Sequence, residues 1–407
     1  MPWGGSATGG RPRCLSVFLR EGGVFVNTRS WVWRIGMIVA ALALALGVAA
    51  CGDDDDDGGD TTEAATDVAE ANLTLAYVTT EQHPYGVAVN NFAEEVATAS
   101  GGAITITGQP SFPGDIPLLA DVRSGTVEMA TVSSAVWDNA GVDAFQALQA
   151  LFLITNLDIE KAVLSNEDGT GLGEIAQDML TQMEEDTGDL KGLAIHEGGL
   201  RSPLGRAKPL VSPADFDGLK IRAVESKVMA EGLKALGAEP TPLPLPDVFQ
   251  ALQNGTVDGM EANTGLTAGQ KYYEVAEFFT GDVVFWPFPT VMVINKDVWD
   301  GLDETQQQII ADAAAKTPGF IIDRLSGGAD PFAQPLANCG LEFVEATDED
   351  KAALEEAGQS AVTALSEANE STGEFITQIQ EVKDGIDEKS APVVTATAEE
   401  GAACELG

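Results

Sequence analysis

From Leu73 the chain alternates strand-like and helix-like stretches. Leu73–Val78 is a short apolar run. Over Tyr85–Ala99, the residues Val89, Phe92 and Val96 recur at helical spacing, and Ser100-Gly101-Gly102 predicts the stop. Ala103–Thr107 then alternates as a strand. This β-α-β order predicts an α/β sheet with helices on its faces. Two stretches resemble each other: Asp115–Val132 contains LADVRSGTVEMATV, and Asp247–Ala262 contains FQALQNGTVDGMEA. Each offers an Asp at a helix N-cap, an apolar stripe, a Gly at the C-cap, and Thr-Val-acid opening a strand. The copies start about 130 residues apart, which suggests two lobes built on one helix-strand step. Chance recurrence of a common helix-Gly-strand unit is the other reading.

Two α/β lobes would place a ligand at the C-terminal ends of their strands, in the crevice between them. Thr131–Ser134 and Met260–Thr264 then stand on opposite walls of one cleft. Gly198-Gly199, just after the apolar Leu193–Ile195, suits a crossing between lobes.

The segment 212–224 carries the sharpest candidate chemistry. Ser212-Pro213 reads as N-cap and first residue of a short turn that Gly218 ends. Leu219–Val224 then alternates, with Leu219 and Ile221 on one face and Lys220 and Arg222 on the other. An inward Arg must meet a partner or a cleft. Its planar fork fits a carboxylate bidentately. Arg222 is therefore either half of an internal salt bridge or a clamp for a small anion.

Composition narrows the classes. The chain has 407 residues, 44% hydrophobic and 6% aromatic, enough for two domains with sizeable cores. Lys and Arg number 22 against 64 Asp and Glu, a formal charge of −42. Such a surface repels nucleic acid and anionic lipid headgroups, so nucleic-acid binding is set aside. Two His (His83, His196) and four Cys show no zinc spacing, and no nucleophile elbow, phosphate loop or dinucleotide fingerprint is present. No catalytic residue, metal or cofactor is expected, although a carboxylate pair would leave no short signature.

The N-terminus reads as an address. Arg29 and Arg34 precede the apolar run Ile35–Ala50, which ends at Val48-Ala49-Ala50-Cys51. The run is shorter than the roughly 20 residues of a membrane span. Its end resembles the lipobox of bacterial lipoprotein signal peptides, in which the Cys is lipidated and begins the mature chain. Residues 1–50 are thus expected to be a leader, with translation starting near Val26. Losing them removes five Arg and one Glu, which leaves 17 cations against 63 anions. The run GDDDDDGGD after Cys51 cannot build a core and reads as an acidic, disordered tether over 51–71. Cys339 and Cys404 remain, and either pair in an oxidising compartment or stay as two free thiols.

The segment KPLVSPADFDGLKIRAVES…LGAEPTPLPLPDVFQALQNGTVDGMEAN resembles the signature region of solute-binding subunits of TRAP (tripartite ATP-independent periplasmic) transporters, the DctP-like family. The likeness runs from Leu73 to about Lys316. It includes His83-Pro84, FAEEV at Phe92–Val96, GLR at Gly199–Arg201, KYYEVAEFF at Lys271–Phe279 and the Trp299…Gln307 spacing. It implies a periplasmic-binding-protein type II-like fold, with two α/β lobes, a hinge and an interlobe ligand cleft. The boundaries expected are 72–198 with about 287–328 for lobe I, and 199–286 with about 329–400 for lobe II. It also implies capture of a small organic acid outside the cytoplasm and delivery to integral-membrane TRAP permease subunits.

By the resemblance, Arg222 grips the ligand carboxylate and Arg201 assists. The family's V-D-G-Q-E strand, usually followed by Asn, reads here as Asp258-Gly259-Met260-Glu261-Ala262-Asn263. The match slips by one, which carries the hydrogen-bonding role to Asn263 beside Glu261. A carboxylate of sialic-acid-binding members falls at Ser133, so that preference is not carried over. Leu245 replaces a common aromatic. His83 either touches ligand or caps the helix at Tyr85. Trp137, Phe285, Trp286 and Phe288 either line the pocket or fill the core, with Trp286 the foremost candidate. A sensor that presents ligand to a signalling kinase, or a cell-surface hydrolase, are the competing functions. Gene neighbours would separate the first from transport, and turnover of a bound acid the second.

Overall fold

The computed structural model describes residues 68–387 and 391–406. The expected leader, the expected lipidation site Cys51 and most of the expected tether lie outside them. The packed body reaches back past the expected boundary at 72. Val68 already packs on the core, and Gln306 Nε2 donates to Ala69 O at 3.0 Å.

Among the described residues, the strands in chain order are Ala71–Ala76 (β1), Ile104–Gln109 (β2), Met129–Ser133 (β3), Leu190–His196 (β4), Ser202–Gly205 (β5), Lys220–Ala223 (β6), Glu239–Pro242 (β7), Gly259–Ala262 (β8), Phe278–Thr280 (β9), Thr290–Asn295 (β10) and Glu342–Val344 (β11). They form two sheets, ordered β2-β1-β3-β10-β4 and β11-β9-β5-β8-β6-β7. In the first, β1 runs parallel to β2 and β3, while β10 is antiparallel to β3 and β4. In the second, β6 runs parallel to β7 and β8, while β5 is antiparallel to β8 and β9. Each sheet thus accepts a strand that arrives from the other lobe. The connections that carry them, 197–201 and 281–289, cross side by side. Arg201 N–H donates to Trp286 O at 2.9 Å, and Phe285 N–H donates to Arg201 O at 2.8 Å.

The two similar stretches occupy equivalent places. β3 pairs parallel with β1, and β8 pairs parallel with β6. The turns before them close alike: Thr126 N–H reaches Asp121 O at 2.9 Å, and Thr256 N–H reaches Ala251 O at 2.9 Å. Gly125 and Gly255 take φ of 73° and 68° in these turns, where a Cβ is disfavoured. The capping role expected of Asp115 fails. Gly114 is the N-cap of helix Asp115–Arg123, and the Asp115 carboxylate turns instead to the Ser133 backbone N–H, 2.9 Å away. Asp247 is an N-cap by position but makes no side-chain capping bond.

Helix Pro84–Ala99 buries Val89, Phe92 and Val96 as its spacing predicts. Ser212 and Asp215 form a capping box around Pro213–Phe216. The main core fills the first lobe and continues through Phe216, Ile221 and Met229 of the second. A second cluster under the larger sheet gathers Leu204, Val248, Leu252, Met260 and Phe279.

One C-terminal helix departs from the expected assignment of 329–400 to lobe II. Helix Asp348–Ala368 packs on helix Lys227–Ala235 of the second lobe. Helix Glu370–Gly385 packs on Leu157–Leu164, Glu174–Thr187 and the 3-10 turn Ala144–Gln149 of the first. Helical periodicity gives a buried stripe but does not say which lobe covers it.

Beyond residue 390 the chain returns to the second lobe. Val394 N–H donates to Gly281 O at 2.7 Å, Gln334 Nε2 donates to Thr397 O at 2.9 Å, and Tyr273 OH donates to Leu406 O at 3.0 Å. Cys339 and Cys404 are joined in a disulfide across 65 residues, which answers the free-thiol alternative. Replacing both by Ser is expected to cost about 2–4 kcal/mol of stability. Urea unfolding should show a lower midpoint, and an unchanged midpoint would contradict it.

Candidate functional site

The crossing strands and the ends of β6 and β8 bring three buried charges together. Arg222 is fixed from below: its Nε and Nη2 donate to Leu243 O at 3.1 and 2.8 Å. Its Nη1 donates to Glu261 Oε1 at 3.3 Å. The other Glu261 oxygen, Oε2, lies 3.5 Å from Arg201 Nη1. Arg201 stacks on Phe288, its guanidinium carbon 3.8 Å from the ring centroid, a cation–π contact. All three charged side chains are at least 96% buried. Two guanidiniums share one carboxylate, so the trio sums to one positive charge, which the carboxylates of Asp115 and Glu197 offset from farther out.

The local sequence explains this placement. Arg222 and Glu261 face each other across the adjacent parallel strands β6 and β8, where Arg222 pairs in register with Met260. Arg201 enters from the crossing, one residue before β5, and β5 pairs Ser202 with Ala262. Burial raises the Glu261 pKa, and the two arginines pull it back. The Trp286 indole opposes the rise as well, though its N–H forms no hydrogen bond of good geometry. Burial lowers the Arg222 pKa while Glu261 raises it. Arg222 is therefore salt-bridged to a carboxylate that it shares with Arg201, so the two sequence readings of it are not exclusive.

Several donors around the trio lack a hydrogen bond. Arg201 Nε and Nη1 are buried without a hydrogen bond, as are Trp286 Nε1, Tyr272 OH and His83 Nε2. A buried unpaired donor costs roughly 1–3 kcal/mol, which an acceptor placed among them would offset. His83 caps helix Pro84–Ala99, accepting the Tyr85 N–H at Nδ1 over 3.2 Å. Burial, then Arg201 and His196, push its pKa down to about 3. The ring is neutral above that, and with Nδ1 accepting, its proton sits on Nε2 as a donor. His83 is thus a helix cap that leaves a second function free.

The remaining expected residues differ in standing. Trp286 is fully buried, tilts on Phe285 and lies under Gly232. Asn263 uses both ends of its amide: Nδ2 donates to Gly198 O at 2.7 Å and Oδ1 accepts the Leu266 N–H at 2.7 Å. It therefore locks the crossing and starts helix Thr264–Gly269. Ser133 Oγ accepts the Ala135 N–H at 3.3 Å, capping its own turn. Trp137 packs edge-on against Phe145. Gly199, at φ 111°, takes a backbone that only glycine adopts freely, pressed against the Asn263 side chain.

Asp115 and Tyr272 join the site without having been singled out as ligand residues. Tyr272 feels Arg222, Arg201 and Glu261, but burial dominates and pushes its pKa up to about 12. Asp115 is only half-buried by surface area, yet protein atoms enclose its carboxyl. Burial pushes its pKa up to about 6, while the Ser133 N–H, Arg222 and Arg201 pull down and Glu225 pushes up. Protonation through that range removes a negative charge beside Arg222. Affinity for an anion that stays ionised is expected to rise as pH falls from 7.5 to 5.5. Asp115→Asn should flatten this response in calorimetry, and an unchanged profile would contradict it.

Residues 75–369 match the family model described as bacterial extracellular solute-binding protein, family 7. A solute-binding protein of Roseobacter denitrificans is 29% identical over 299 residues, covering 72% of this chain and 87% of that protein. The C4-dicarboxylate-binding periplasmic protein of Rhodobacter capsulatus is 28% identical over 287 residues, covering 70% and 83%. A TRAP periplasmic solute-binding protein from a Polaromonas species, solved with D-erythronate, superposes with a TM-score of 0.67 at 26% identity, covering 76% of this chain and 98% of that one.

Proposed function

Because the chain belongs to the bacterial extracellular solute-binding proteins of family 7, we propose that it captures a small organic acid outside the cytoplasm and delivers it to a TRAP-type transporter. The observation that carries this reading is the buried trio of Arg222, Arg201 and Glu261, which retains one positive charge at the crossing of the lobes. Within the trio that excess fits one carboxylate, and it is greatest when Asp115 is protonated. The fork of Arg222 is held rigid by Leu243 O and Glu261, so it is preorganised to grip. Arg201, with two buried nitrogens unpaired, assists from the hinge.

The ligand class follows from what surrounds the clamp. The neutral His83 Nε2–H and the Trp286 and Tyr272 donors suit hydroxyl oxygens. A hydroxylated monocarboxylate satisfies more of these atoms than a plain dicarboxylate. The Polaromonas protein with D-erythronate is an instance of that chemistry. Lobe I comprises 72–198 with about 287–328, lobe II comprises 199–286 with about 329–369, and the last helix leans on lobe I. The two lobes close on the acid by hinge motion at 197–201 and 281–289. Residues 1–50 address the chain for export, and lipidated Cys51 tethers the body to the membrane beside the integral-membrane TRAP subunits.

Thermal unfolding against a panel of aldonates, uronates and C4-dicarboxylates tests the reading. A ligand at a hundred times its dissociation constant should add about 2.7 kcal/mol. Stabilisation by hydroxy monocarboxylates supports it. Indifference to every acid, or turnover of any of them, would count against it.

A further inference from the structure

A second set of buried acids lies beneath the crossing strands, outside the clamp. Glu160 sits on helix Leu157–Leu164 of the first lobe, and Glu197 follows β4 in the crossing segment. Both are 0% exposed. Glu197 Oε1 accepts the backbone N–H of Gly199 and, at 3.5 Å, that of Phe288, so it spans both crossing strands. Its Oε2 and both Glu160 oxygens meet no donor. The two carboxyl groups meet each other instead. An acceptor facing an acceptor forms a hydrogen bond only when one of them carries a proton. Two like charges in buried contact do not both ionise.

We propose that Glu160 and Glu197 share one proton inside the hinge, and that this proton ties a first-lobe helix to both crossing strands, so that the integrity of the crossing is proton-linked.

The surroundings locate the proton. Burial raises the Glu197 pKa, but the Glu160 hydrogen bond, the two backbone N–H groups at Oε1 and Arg201 all oppose the rise, so of the two Glu197 keeps the charge. Burial, then the Glu197 charge, hold the Glu160 pKa well above the carboxyl range. No cation offsets Glu160 among the described residues. Lys161 of the same helix pairs outward with Asp323 of helix Glu304–Ser326 at 2.5 Å. Lys383 of the last helix donates to Phe152 O at 2.7 Å. Tyr85 feels Glu197 and stays protonated, because burial raises its pKa. His196, next to Glu197, is neutral, with burial pushing its pKa down to about 4.

The sign follows from linkage. A carboxyl whose pKa is raised by folding contributes stability that is full below its ordinary value and lost as pH rises through the folded value. His83 and His196, lowered to about 3 and 4, have ceased to contribute a slope above their ordinary 6.5. Asp115, at about 6, has also finished. Between about pH 7 and 9 the part of the slope that Glu160→Gln removes belongs to the pair, apart from any share of Glu261 and Asp138, which burial also raises.

The experiment needs no ligand, so its failure and the failure of the receptor reading are separate. Urea unfolding of the ligand-free mature chain is followed from pH 7 to 9, and infrared spectra are taken at pH 8. One bound proton makes the unfolding constant rise by up to about tenfold per pH unit. The wild type should show this rise and the C=O stretch of a protonated carboxyl. Glu160→Gln supplies a permanent amide donor to Glu197 and should lose both signals, whereas Glu197→Gln removes only the charge beside Glu160 and should weaken the rise. A flat wild-type profile with no protonated band overturns the proposal, as does an unchanged rise and band in both variants. Should both variants fail to fold, the wild-type slope and band decide.

Discussion

Arg222→Ala is expected to lose about 10²–10³-fold in affinity for the bound acid, with the protein still folded. Removing one partner of a buried, hydrogen-bonded charge pair at a binding site costs roughly 2–5 kcal/mol, and each 1.4 kcal/mol is about a factor of ten. The loss belongs to binding because Arg222 holds its fork ready through Leu243 O and Glu261 Oε1 before any ligand arrives. Folding tolerates the change better. Glu261 keeps Arg201 as a counter-ion at 3.5 Å. Arg222→Lys should bind nearly as poorly, since the charge survives and the planar fork does not. Calorimetry with the acid that stabilises the wild type most is the check, with circular dichroism to confirm folding. Wild-type affinity in Arg222→Ala would end the clamp.

Glu261→Ala is expected to act mainly on stability, by about 3–5 kcal/mol. It leaves Arg201 and Arg222, both nearly fully buried, with no carboxylate between them. Breaking a buried ion pair costs that much because an uncompensated charge stays behind. Here two would stay, one of them above the Phe288 ring. Glu261→Gln keeps a hydrogen-bond acceptor in place and should cost less. Urea unfolding at pH 7 separates the two variants. Equal, small losses in both would mean that the trio is better solvated than its burial implies.

The regular parts of this fold were legible because local rules fixed them. Val89, Phe92 and Val96 at helical spacing gave the first helix, and Ser212-Pro213 gave a capped turn. The recurring Gly-Thr-Val step marked two equivalent parallel strand pairs, β1/β3 and β6/β8. Arg222 stood out on the inward face of its strand and Arg201 through the family resemblance, and the structure sets both on one carboxylate.

What stayed hidden depends on distant partners. Asp115 looked like an N-cap, but its acceptor role is defined by Ser133, 18 residues away. Asn263 was transferred as a ligand donor, yet Gly198 O occupies its amide from the crossing segment. Tyr272 sat inside a family motif with nothing to single it out, and only the fold brings it under the influence of both arginines. Glu160 did leave a trace. Leu157, Glu160 and Leu164 share one helix stripe, and an acid on an apolar stripe asks for a partner. The placement of the last helix on the first lobe left none, because either lobe could cover its stripe.

The most direct test is native mass spectrometry of the mature chain purified without added ligand, beside Arg222→Ala prepared in parallel. The account predicts that the wild type carries one small hydroxylated carboxylic acid, released on unfolding, and that Arg222→Ala carries none. An identical bound mass in both proteins, or a bound compound with no carboxylate, would contradict it.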